Sequence, residues 1–303
     1  MKVVSIITVN FNHSYLTDDL LVSIQQKNSY PAIEIIVVDN ASKENPVPEW
    51  GKKYPHVKFI RSEQNLGFAG GNNLGVEAAT GDYLFFVNND TIFTENLVQT
   101  LVQTLEGHPQ VGMVSPKILY YDHPDMLQYA GYTDINYFTA RNACIGQFET
   151  DHGQYDQLEG PTGFAHGAAM MVKREAINRA GRMAENFFLY YEELDWCSRI
   201  KRAGFEVWVN MKAGIYHRES ISVGKQSALK EYFMNRNRIL YIRRNAPWWK
   251  ALVFYVYFLL VVTLRNMATY LKQGNRHFIP QLWRAIWWNI TNSVNSPELG
   301  FRP

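Results

Sequence analysis

The chain has 303 residues, 47% of them hydrophobic and 19% charged, with no low-complexity tract. That composition excludes a disordered or fibrous protein and allows one large domain with or without an appendage. The net charge of +2 hides an asymmetry, because residues 1–200 hold 14 Lys and Arg against 24 Asp and Glu, whereas residues 201–303 hold 16 against 4. A basic, aromatic end on an acidic body predicts contact with an anionic surface through that end alone, and its greasy segment favours membrane over nucleic acid. Two cysteines, Cys144 and Cys197, make neither a disulfide framework nor a zinc site and read as reduced packing residues in a cytosolic compartment.

In chain order, residues 3–9 form a short β-branched apolar run. The N-terminus, residues 1–9, carries one Lys, lacks a small-residue cleavage site and runs into Asn10 and Asn12, so a buried first strand fits better than a signal peptide. Leu16, Leu20, Leu21 and Ile24 then recur at helical spacing, with Pro31 closing the segment. Residues 34–38 and 57–60 are further strands. Residues 65–73 form a glycine-rich turn that opens a helix towards Ala79, and residues 83–87 make a buried strand ending on Asn88-Asn89-Asp90. Strands alternating with helices predict an open α/β sheet, mostly parallel and flanked by helices. In such sheets ligands bind at the carboxyl ends of the strands. Three strands end on polar residues there: Asn10 and Asn12, Asp39 and Asn40, then Asn88 to Asp90.

Each cluster has a chemical and a structural reading. Asp90 suits a hard divalent cation that neutralises a diphosphate, or a plain Asn-Asn-Asp turn. Asp39 suits a pyrimidine ring N–H, or the cap of a turn. The glycines of residues 67–73 would let backbone N–H groups approach a phosphate, or simply shape a turn. They form neither a dinucleotide fingerprint nor a P-loop. Residues 186–196 set Glu192, Glu193 and Asp195 among aromatic residues. Crowded, desolvated carboxylates gain proton affinity, which suits a general base. Acidic residues also complement a helix N-terminus, and residues 197–203 look helical with Gly204 as the stop. His217 follows a probable strand at residues 206–209 and is either structural or a ligand.

Taken together, these segments resemble the family-2 glycosyltransferases, particularly the bacterial rhamnosyltransferase-like and galactofuranosyltransferase-like branch. The resemblance rests on residues 5–12, 34–42, 65–73, 81–91, 167–174 and 187–204, then on Tyr216-His217 and residues 232–244. It implies a GT-A fold over residues 1–245 and displacement at the anomeric carbon with inversion. It implies that Thr8, Val9, Asn10 and Asp39 face the nucleoside, and that Asn65, Gly67, Asn72, Asn88 and Asn89 line the nucleotide-sugar pocket. It implies Asp90 and His217 as ligands of Mg²⁺ or Mn²⁺, Glu193 as catalytic base with Glu192 and Asp195 beside it, and Arg236 and Asn237 near the diphosphate. The chain departs from the family in having Asn-Asn-Asp where an Asp-x-Asp triplet is usual, and Glu where many members have Asp as base.

Residues 246–303 form the basic, aromatic tail. Residues 251–264 are uncharged and would span about 21 Å as a helix, against about 30 Å for a hydrocarbon core. Trp248, Trp249, Trp283, Trp287 and Trp288, with Arg243, Arg244, Lys272, Arg276 and Arg284, suit an interfacial anchor on the cytoplasmic leaflet. The alternative is a helix that covers the catalytic domain or a second copy of the chain. The predicted partners are a nucleotide-diphosphate sugar, a saccharide or lipid-linked acceptor and a membrane surface, without nucleic acid. A nucleotidyltransferase is a rival reading, although residues 10–14 supply no basic phosphate loop. A non-catalytic sugar-nucleotide-binding scaffold is another, opposed by the intact carboxylate cluster.

Overall fold

A computed structural model describes residues 1–218 and 227–301. Among these residues ten strands form one sheet: β1 (Val4–Asn10), β2 (Ile33–Asn40), β3 (Val57–Ser62), β4 (Tyr83–Val87), β5 (Thr91–Phe93), β6 (Val111–Tyr120), β7 (Leu127–Tyr129), β8 (Glu159–Pro161), β9 (Ala169–Lys173) and β10 (Glu206–His217). The order is β3-β2-β1-β4-β9-β6-β10-β5, with β7 beside β6 and β8 beside β10. The first four strands pair in parallel, as the alternation predicts. β9 runs antiparallel to both β4 and β6, so the whole sheet is mixed rather than mostly parallel. The cause is local. A parallel return needs a crossover, usually a helix, but residues 121–168 contain none and lead into β9 from the carboxyl ends of its neighbours.

Helices α1 (Ser14–Lys27), α2 (Val47–Lys53) and α4 (Leu97–Gly107) cover one face; α3 (Gly67–Ala78), α5 (Arg174–Ala180) and α6 (Glu192–Arg202) cover the other. β1 shows how side-chain alternation feeds both cores, sending Val4 and Ile6 to the first and Ile7 to the second. The predicted glycine-rich turn is mostly helix. A Cβ on Gly71 would lie 2.9 Å from Val9 Cγ1, and one on Gly75 would lie 2.4 Å from Ile7 Cγ2. These two glycines therefore set how closely α3 approaches β1.

The strand expected at residues 206–209 continues to His217, with a register shift between Asn210 and Gly214, so His217 is the strand's last residue. α7 (Ala228–Asn245) follows, then a helix of 25 residues, Trp248–Lys272, and another at Ile279–Thr291. The first of these is longer than the uncharged run suggested, because Lys250, Arg265 and Lys272 lie within it. Phe254, Phe258 and Val262 bury its inner face against Ile239, Leu240 and Ile242 of α7. Each such side chain contributes about 1.5–3 kcal/mol when fully buried. Leu252, Val256, Leu260 and Leu264, opposite them, are exposed.

Candidate active site

The ends of β1 and β2 meet in register at Asn10 and Asp39. Both side chains are fully buried. Asn10 Nδ2 donates to Asp39 Oδ1 (2.8 Å) and to Ser42 Oγ (3.0 Å), while Asn10 Oδ1 accepts from Thr17 Oγ1 (3.1 Å) and Asn89 Nδ2 (3.3 Å). Ser42 Oγ donates to Asp39 Oδ1 (2.5 Å), and the Arg61 guanidinium pairs with the other carboxylate oxygen. Thus three strand ends predicted to be neighbours share one polar network. Arg61, across the register from Asp39 on β3, was not singled out in the sequence. Thr8 Oγ1 is buried without a partner among the described residues, and Val9 packs on Gly71. Asn65 Oδ1 accepts from Asn40 Nδ2 and from the Gly67 amide, shaping the entry to α3. Asn72 Nδ2 is turned back to its own helix at Phe68 O (2.9 Å). Asn88, half-buried, donates its amide to Ala168 O.

Asp90 and His217 come together although 127 positions separate them in the chain. His217 Nε2 lies 3.2 Å from Asp90 Oδ1. His217 Nδ1 is 2.8 Å from Gln128 Oε1, an oxygen that can only accept, so the ring proton belongs on Nδ1. In the neutral ring, Nε2 then turns its lone pair to a carboxylate oxygen that is buried and has no hydrogen-bond donor among the described residues. Two lone pairs this close suit a shared cation, since adjacent ligands of an octahedral ion with bonds of about 2.1 Å stand about 3 Å apart. His166 stacks edge-on to His217 at 6.0 Å between ring centres. Burial, then the nearby His217, pushes the His166 ring down to about 3, so it is neutral at physiological pH.

The third group stands at the start of α6. Phe188, Tyr190 and Tyr191 all have left-handed backbone angles (φ +65°, +71° and +73°). Such a run is strained for side chains with a Cβ and needs over-determination by its surroundings. α7 supplies it from below. Asn237 Nδ2 reaches the carbonyls of Phe187, Leu189 and Tyr190, each at 2.8 Å. Arg236 Nη2 donates to Asn186 O (2.5 Å) and Nη1 to Asn237 Oδ1 (2.8 Å). Both side chains are fully buried, and burial pushes the Arg236 guanidinium down to about 10. The Arg236 Nη donors and the Asn237 amide are thus spent on this turn rather than on the expected diphosphate, while Arg236 Nε is buried without a partner among the described residues.

The acidic cluster also divides. Asp195 is fully buried and receives Arg199 Nε (2.8 Å), Arg244 Nε (3.3 Å) and Asn245 Nδ2 (2.9 Å). With its lone pairs occupied it is a structural anchor, not a base beside Glu193. Glu192 and Glu193 have no cationic partner among the described residues. Burial pushes Glu193 up to about 7, and burial with the Glu193 charge pushes Glu192 well above the carboxylate range. Glu193 Cγ would be 3.9 Å from a Cβ on Gly167, next to His166, so the missing side chain leaves room beside the carboxyl. The segment His166–Gly167 thus lies between the Glu193 group and the Asp90–His217 pair.

The sequence pattern of glycosyl transferase family 2 matches residues 5–181, more than half of the chain. The chain belongs to that family. This glycosyltransferase is 20% identical over 270 residues to the N-acetylglucosaminyl-diphospho-decaprenol L-rhamnosyltransferase of Mycobacterium tuberculosis, covering 82% of this chain and 87% of that one. It is 26% identical over 223 residues to the low-salt glycan biosynthesis hexosyltransferase Agl10 of Haloferax volcanii, covering 71% and 70%. In fold it is similar to a mannosyltransferase from Pyrobaculum calidifontis in complex with GDP-Man and Mn²⁺, with TM-score 0.57, 16% identity and coverage of 96% and 76%. It is also similar to GalNAc-T7 with UDP, GalNAc and Mn²⁺, with TM-score 0.64 and 13% identity, covering 80% of this chain and about half (48%) of that one. The fold is therefore GT-A, as the resemblance implied.

Proposed function

We propose that the enzyme moves a sugar, with inversion, from a nucleotide-diphosphate sugar of the dTDP-rhamnose or UDP-sugar type to a hydroxyl of a saccharide or lipid-linked acceptor in cell-surface polysaccharide synthesis. The observation that carries this reading is the half-buried Glu193 carboxyl, poised near neutrality and without a cationic partner among the described residues, close to the facing pair of Asp90 and His217. Glu193 takes the proton of the acceptor hydroxyl, which attacks the anomeric carbon from the face opposite the leaving diphosphate. Glu192, protonated beside it, keeps a second negative charge away from the base. The β1 and β2 ends, around Asn10 and Asp39, hold the nucleoside, with Arg61 released or retained as the base enters. Mg²⁺ or Mn²⁺, when held by Asp90 and His217, supplies charge neutralisation to the diphosphate. The name of the Mycobacterium tuberculosis relative favours a diphospho-lipid-linked saccharide as acceptor.

Glu193→Gln tests the reading directly. Turnover is expected to fall about 10²- to 10⁴-fold with donor affinity, measured by calorimetry, nearly unchanged. Full activity in that variant removes Glu193 as base. A thermal-shift panel of UDP-, dTDP- and GDP-sugars, with and without Mn²⁺, identifies the donor.

The same proposal puts the enzyme on the cytoplasmic face of a membrane. By length and composition Trp248–Lys272 is long and apolar enough to cross, contrary to the expectation from its uncharged run, but its inner face packs on α7, which favours lying on the surface. Supporting it are the exposed apolar side of Trp248–Lys272 and the exposed Trp283, Trp287 and Ile290, flanked by Arg265, Lys272, Arg276 and Arg284. Wild type is expected to float with phosphatidylglycerol vesicles and Leu260→Glu/Trp287→Glu to remain at the bottom. A variant that still floats removes this face as the anchor.

A further inference from the structure

Outside the tail, Phe148 is the most exposed aromatic residue among those described, at 66%. Its backbone is left-handed (φ +67°), a conformation that a side chain with a Cβ rarely adopts and that glycine takes without strain. The other aromatic residues with such angles, Phe188, Tyr190 and Tyr191, belong to the buried or half-buried turn before α6. Phe148 thus combines strain with exposure, and its ring stacks on that of Tyr120, at 5.7 Å between centres and 7° from parallel. That neighbour places it. Tyr120 ends β6 in register with His217, and residues in register on adjacent strands project to the same face of the sheet. The Tyr121 amide donates to His217 O (3.1 Å), and the Arg218 amide to Asp90 O (2.9 Å). One face of Tyr121 is already covered by the Arg218 guanidinium, 4.0 Å from the ring centre. Among the described residues, no ring stacks on the outer face of Phe148, which is exposed.

Resting on the sugar-transfer reading above, we propose that Phe148, backed by Tyr120, is the stacking platform for a pyranose ring of the acceptor. One face of a pyranose carries axial C–H bonds whose weakly positive hydrogens meet the negative face of an aromatic ring. A nucleobase would stack there too, but the nucleoside end at β2 lies four strand places from β6. At about 4.8 Å per strand that is about 19 Å, too far for one nucleoside to span both. The platform lies on the side of the site away from the nucleoside end, the side from which an acceptor can attack opposite the leaving diphosphate. It also gives the strain at position 148 a purpose, since the left-handed turn lifts the ring clear of the surface.

The test uses full-length protein and methyl glycosides of glucose, galactose, rhamnose and N-acetylglucosamine, which offer the apolar tail no alkyl chain. Saturation-transfer NMR is expected to show ring protons of at least one glycoside contacting wild type. Phe148→Trp should retain the signal and Phe148→Ala should reduce it at least fivefold. Phe148→Gly separates function from folding, because it relieves the backbone strain: the melting temperature should hold or rise while the glycoside signal is lost. An undiminished signal in Phe148→Gly, or no glycoside contact with wild type, overturns the platform. Glu193→Gln should bind the glycoside normally and fail only in transfer, so failure of the platform and failure of the base are read separately.

Discussion

Glu193 and Asp195 stand two residues apart at the start of one helix and meet opposite environments. Asp195 points to α7 and the end of its own helix, where Arg199, Arg244 and Asn245 saturate it. Glu193 points to the aromatic side, among Tyr132, Tyr190, Tyr191 and Glu192, with no positive charge in ion-pair contact. A helix turns about 100° per residue, so two positions reverse the direction a side chain faces. An acidic run in a sequence therefore has no single meaning, and here half of it holds the fold while the other half is left reactive.

The comparison can be broken at four points. Asp195→Ala should be the most damaging to stability, costing about 3–5 kcal/mol in urea unfolding, because it strands two partly buried arginines. A loss below 1 kcal/mol would show that Asp195 is not the anchor. Asn237→Ala should lower kcat about 10- to 100-fold by loosening the turn that aims Glu193, with donor KM little changed. Equal loss in KM would instead put Asn237 in the donor site, as the family resemblance implied. The pH profile comes next. A base at about 7 must be deprotonated, so kcat/KM should rise tenfold per unit below pH 7 and level off above it. A plateau already reached at pH 5 would remove the desolvated base. The smallest effect is thermodynamic. The raised proton affinity of Glu192 means that the unfolded chain releases the proton first, so stability falls as pH rises from the ordinary carboxylate range. Glu192→Gln should therefore raise the melting temperature at pH 8 and leave it unchanged at pH 4.

The sequence made the strand ends legible because β-branched runs that stop on Asn or Asp carry a local signature. Asn10, Asp39 and Asn89 meet as their positions predict. Gln128 and Arg61 carried no such mark. Gln128 reaches His217 across 89 positions, and Arg61 reaches Asp39 only because β3 lies in register with β2. His166 was equally hidden, as a single histidine between Ala165 and Gly167. Arg236 and Asn237 were visible as residues but misplaced, since composition does not say which side of α7 faces the core. The charges that bounded the uncharged run of the tail likewise did not bound its helix.

α7 has one further consequence. Its Arg236 guanidinium lies 4.0 Å over Trp288, its Arg236 carbonyl accepts from Asn289 Nδ2, and its Tyr232 hydroxyl reaches Leu299 O. The helix that aims the carboxylate is thus also the bed on which the last fifty residues lie. Catalytic body and tail should melt in one cooperative transition, and amides along α7 should exchange with solvent as slowly as those of the central strands. Shortening the chain at residue 245 to obtain a convenient soluble fragment would leave α7 half uncovered, and with it the register of the turn that it steadies.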